Sequence, residues 1–175
     1  MKNKVFKLLN IVAWIGKIYF ILMAIFYLIF LVAAVITPGT QGWIRQMMIT
    51  PFFKVSNGPS AWMVIAVALI ADIVMIVIVH YLQKMIVNLN QEKYFEQDNL
   101  QLLQRLLATV GIYTILNWVN VLLICVTGEF AKADQLSSEW VASSWNALIF
   151  LAIIYIIYLV FKSGLKLQQG SDTFI

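Results

Sequence analysis

The chain has 175 residues, of which 62 % are hydrophobic and only 11 % are charged, against the roughly 25 % charged residues of an ordinary soluble domain. A soluble fold of this length cannot hide that much apolar surface, so the composition points to an all-α polytopic membrane protein, a bundle of four transmembrane helices in a single integral membrane domain over residues 1–175. Cys125 is the sole cysteine, which excludes an intramolecular disulfide and any cysteine-based zinc or iron–sulfur site. The net charge of +4 lies beside the hydrophobic runs, where it sets orientation, rather than in a nucleic-acid footprint.

The first span is expected at about 18–37, entered from Lys2, Lys4, Lys7 and Lys17 and closed by Pro38-Gly39. Its length matches a bilayer and exceeds the roughly 7 to 15 apolar residues of a signal peptide, so retention of the segment is expected. Upstream, Val5, Leu8, Leu9, Val12 and Ile15 recur at helical spacing, which starts the helix early and lays it partly in the interface. Residues 38–60 carry all three prolines with Trp43, Phe52 and Phe53, and read as an external loop resting on the membrane.

The second span is expected at about 61–82, with Asp72 near its middle, His80 near its end, and Trp62 and Tyr81 at opposite interfaces. A polar cytoplasmic hairpin follows at about 83–105, holding Lys84, Glu92, Lys93, Glu96, Asp98 and Arg105 around Tyr94-Phe95. Leu100, Leu103, Leu106 and Leu107 then lead into the third span, about 106–126, with Asp98 in the first helical turn, where a negative charge suits the helix dipole. After a short acidic loop, Ser137 or Ser138 is the expected cap of a fourth helix that spans about 145–161 and continues into a cytoplasmic tail, 162–175, until Gly170 stops it. Nine of the twelve Lys and Arg residues fall on the side of the termini, which makes both ends cytoplasmic by the positive-inside rule.

Asp72 is the principal candidate for chemistry, because an ionised carboxylate near the bilayer centre costs roughly 2.5 to 3.5 kcal/mol on insertion scales. It reads either as a proton or cation relay or as a hydrogen-bonded carboxyl that fixes helix packing. The strip Thr114, Asn117 and Asn120 on the third helix, with Asn117 about as deep as Asp72, offers it an interhelical partner. A single histidine without ligand-spaced neighbours makes His80 an interfacial ring and not a metal ligand. No nucleophile motif surrounds any serine, and no P-loop or dinucleotide fingerprint occurs, so neither an enzyme nor a cofactor is expected.

Two cytoplasmic stretches carry a resemblance. The segment Lys93-Tyr94-Phe95-Glu96-Gln97-Asp98-Asn99-Leu100, with Leu103 and Arg105, resembles the element that opens the third helix in the YoaS-like family of bacterial membrane proteins. The chain end, running from Phe161 through Gly164 and Leu167 to Gln168-Gln169-Gly170-Ser171-Asp172-Thr173-Phe174-Ile175, resembles that family's closing pattern. Glu96 and Gly170 depart from it, where a capping Ser or Thr and a Glu are usual. The resemblance implies a multi-pass protein of the bacterial cytoplasmic membrane, often encoded beside a small helix-turn-helix regulator and of no established activity. It directs attention to Tyr94, Phe95, Asn99, Arg105, Gly164, Leu167 and Asp172 as a docking face. The expected function is a non-enzymatic membrane module that binds or regulates a cytoplasmic partner such as that regulator, without touching nucleic acid itself. The alternative is a small transporter or ion-conducting homo-oligomer using Asp72 and Asn117.

Overall fold

A computed structural model describes residues 2–36, 60–91, 96–126 and 134–171. It consists of four helices, α1 (Lys2–Ile36), α2 (Ser60–Asn90), α3 (Gln97–Val126) and α4 (Asp134–Ser171), with no strand among the described residues. Each contains a stretch long and apolar enough to cross a membrane, Lys4–Ile29, Ile65–Asn90, Gln97–Leu123 and Ser144–Leu167. The chain is a multi-pass, all-α membrane protein.

The helices are longer than the spans read from the sequence. At about 1.5 Å per residue they extend from roughly 45 Å to 57 Å, beyond the ~30 Å hydrocarbon layer and past its headgroup regions. The polar flanks therefore stay helical instead of unwinding at the interface, since backbone groups leaving the bilayer keep their intrahelical bonds. The hairpin expected at 83–105 shrinks accordingly, because α2 runs on to Asn90 and α3 starts at Gln97 with Asp98 in its first turn. Helix α4 begins at Asp134, upstream of Ser137, so the serine cap does not hold, and it continues past Lys162 and Lys166 to end at Ser171, one residue beyond the expected glycine stop. The prolines and aromatics of the expected external loop, and Trp62's side chain, lie outside the described residues.

Extensive packing joins only chain neighbours: α1 on α2, α2 on α3, and α3 on α4. The bundle is thus a row of three antiparallel seams. Its core gathers around α3, where Leu103, Leu106 and Val110 meet Ile78 of α2 and Ile154 of α4. The buried positions of α3 run Asn99, Leu103, Leu106, Val110, Thr114, Asn117 and Asn120, in steps of four and three, with Val121 beside the last. That spacing keeps one stripe turned inward along a left-handed helix pair. Tyr81 packs against this core, on the face of Val74, Ile78 and Met85.

None of the described side chains of α1 belongs to that core. The half-buried α1 residues Phe6, Asn10, Ala13, Lys17, Phe20, Ala24, Tyr27 and Leu31 repeat in steps of four and three and form the face laid on α2. The rest of the helix, from Val5 and Leu8 to Ile29 and Val32, is exposed and apolar. Such a surface is at home only against acyl chains.

Candidate functional site

Helix α2 carries two inward stripes. Val74, Ile78, Tyr81 and Met85 face the α3 core. Offset from them, Leu69, Asp72, Ile76, Val79, Gln83, Ile86 and Asn90 recur in steps of three and four on the side of α1. Two observations fix the register of that seam. Asn10 of α1 lines a common cavity with Ile86 and Asn90, and Tyr27 of α1 stands within electrostatic range of the Asp72 carboxyl. Lys17 falls between these anchors, at the level of Gln83.

Asp72 is half-buried, but its Oδ2 is wholly shielded and has no hydrogen-bond partner. Asn117 does not supply one. Its Nδ2 donates to the Tyr113 carbonyl of its own helix at 2.9 Å, as the Thr114 hydroxyl donates to the Val110 carbonyl at 2.9 Å. The reason is azimuth: Asp72 and Asn117 lie at similar depth, but Asp72 belongs to the α1 side of α2 and Asn117 to the inner stripe of α3. Thr114, Asn117 and Asn120 do form one buried strip, with exposures of 5 %, 8 % and 3 %. The Asn120 Oδ1 is shielded and also has no partner.

The expected docking residues separate. Asn99 is 0 % exposed and accepts a 2.7 Å hydrogen bond from Asn88 Nδ2, tying α3's first turn to the end of α2. It is a tether inside the fold and presents nothing to a partner. Its backbone N–H closes the same turn on the Glu96 carbonyl at 3.1 Å. Arg105 is exposed, Gly164 is half-buried and Leu167 is 76 % exposed. Tyr94, Phe95 and Asp172 lie outside the described residues. His80 is exposed, its ring 6.1 Å from that of Tyr81.

Tyr27, Asn10 and Gln83 were not singled out from the sequence, and Lys17 only as a flanking charge. The available signal was the seven-residue interval between Asn10 and Lys17, matched by that between Gln83 and Asn90, the period of a helix pair in contact. Chemically, the Asp72 level offers one carboxyl and one phenol, both able to exchange a proton. That is too few oxygens for a dehydrated divalent cation, which takes six or more. No group of three or more His, Cys, Asp or Glu side chains forms a metal-binding cluster among the described residues. No family model, no curated protein and no solved structure matches this chain.

Proposed function

We propose that this protein is a non-enzymatic, proton-carrying transporter of the bacterial cytoplasmic membrane, with both termini inside and Asp72 as the group that takes up and releases the proton. The observation that supports it is the shielded Asp72 Oδ2, which has no hydrogen-bond partner and lies near Tyr27 at an intramembrane helix seam. A carboxyl kept there only for packing would be satisfied by a neighbouring donor, because an unmet polar group in hydrocarbon costs several kcal/mol. An unsatisfied carboxyl instead exchanges protons or water, which is the usual role of intramembrane acids. Homo-oligomerisation fits this reading, since the open row of helices leaves faces of α1 and α4 for a second copy.

Proton flux into liposomes loaded with a pH dye tests the idea. Wild type should dissipate an imposed gradient, Asp72→Asn should not, and Tyr27→Phe should fall between them. Equal flux for wild type and Asp72→Asn refutes it.

A second reading is favoured by Leu167, which stands 76 % exposed beyond the expected span, near exposed Lys162 and Lys166. On this reading the cytoplasmic end of α4 docks a small regulator, as the YoaS-like resemblance implies. Co-purification from native membranes, compared between wild type and Leu167→Glu, separates the two. A bound protein lost on substitution, with no proton flux, replaces the first reading with the second.

A further inference from the structure

The cytoplasmic end of the α1–α2 seam opens into a cavity of about 100 Å³, lined by Phe6, Lys7 and Asn10 from α1 and by Ile86, Val87, Asn90 and Gln91 from α2 and its last turn. Among the described residues its polar lining is one ammonium and three carboxamides, with no carboxylate. Each of these groups can donate hydrogen bonds, and the lysine sets the sign of the local field. The helix ends do not change that sign, because α1 brings the positive end of its dipole and α2 the negative end of its own. One turn deeper on the same α2 stripe is Gln83, 9 % exposed, whose Nε2 is shielded and has no hydrogen-bond acceptor. At that level the seam holds a donor without an acceptor, well short of the Asp72 carboxyl deeper on the same stripe.

Depth and shape narrow the ligand. The apolar stretches of α1 and α2 end at this cavity, at Lys4 and at Asn90, which places it at headgroup level. Phe6, Ile86 and Val87 give it an apolar wall running toward the hydrocarbon. We propose that this cavity binds the phosphate of an anionic phospholipid headgroup, with Lys7 and the carboxamides of Asn10, Asn90 and Gln91 on the phosphate oxygens and the glycerol end along Phe6, Ile86 and Val87. The bound lipid braces α1 against α2 at the one seam that lies outside the core.

The test uses the full chain in nanodiscs that mix phosphatidylglycerol and phosphatidylcholine, with retained lipids counted by native mass spectrometry after mild delipidation. Wild type should retain phosphatidylglycerol preferentially. Asn10→Leu and Asn90→Leu, which change no charge, should each lower that retention at least about fivefold, the factor that about 1 kcal/mol of lost binding produces. Lys7→Gln should lower it further. Lys4→Gln, an exposed lysine outside the cavity, should lower it less than Lys7→Gln does, because it acts only through the surface potential. Retention insensitive to Asn10→Leu and Asn90→Leu in variants that keep the wild-type melting temperature would overturn the site, as would equal losses for Lys4→Gln and Lys7→Gln. Displacement of the lipid by submillimolar inorganic phosphate would reassign the cavity to a soluble anion and overturn the lipid.

Discussion

Asp72 and Asn117 show what residue-level reading captures. Counting along each helix from its polar end puts the two at a similar level. Direction was not legible, since a helix flanked on two sides has two inward stripes and the sequence does not say which neighbour owns which. Because no hydrogen bond joins the pair, a double-mutant cycle of Asp72→Leu and Asn117→Leu, read by unfolding in mixed micelles, should be additive within about 0.5 kcal/mol. A larger coupling would mean that the two side chains meet. Asp72→Asn should insert and fold with little loss, whereas Asp72→Lys keeps a charge at a depth from which a lysine cannot reach the interface, and should lose roughly 2.5 to 3.5 kcal/mol. Melting temperature in detergent distinguishes them. Asn99 is a different case: its leucine variant keeps the volume but removes the acceptor of Asn88, and a loss of about 1 to 3 kcal/mol is expected. No change in stability on Asn99→Leu would return this residue to the surface role that the family resemblance suggested.

At the level of elements, the four spans were legible because hydropathy over twenty residues is a strong signal, as were the early start of α1 and the end of α4 near Gly170, whereas the end of α2 was not, because polar residues such as Asn88 and Asn90 favour loops in water but remain helical when the helix continues out of a bilayer. The unequal weight of the helices was also hidden. Helix α1 is long and apolar, yet none of its described side chains belongs to the core. Ile78→Ala, at the centre of the α2–α3 contact, should therefore cost about 2 to 5 kcal/mol, and Ile115→Ala on the exposed face of α3 should cost less than about 0.5 kcal/mol. A chain of residues 60–175 should keep a cooperative detergent melt, because Ile78, Leu103, Leu106, Val110 and Ile154 all remain. Loss of that transition on removing α1 would show that the first seam carries stability the burial pattern does not.

For the whole molecule, orientation rests on the asymmetry of lysine and arginine, nine against three. With Cys125 replaced, cysteines at Asn57 and Gln135 should react with an impermeant thiol reagent added outside intact cells, and cysteines at Gln97 and Lys166 should not; labelling at Gln97 would invert the topology. The row of neighbour-to-neighbour seams has a consequence for how the chain is made. Every extensive contact joins a helix to the one synthesised just before it, so none has to wait for a distant segment, and loop closure is short at each step. Each hairpin can close while the next span is still in the ribosome. A nascent chain stalled after α3 should already hold the Asn88–Asn99 tether and protect its α2–α3 seam from proteolysis, before the residues that complete the core have been translated.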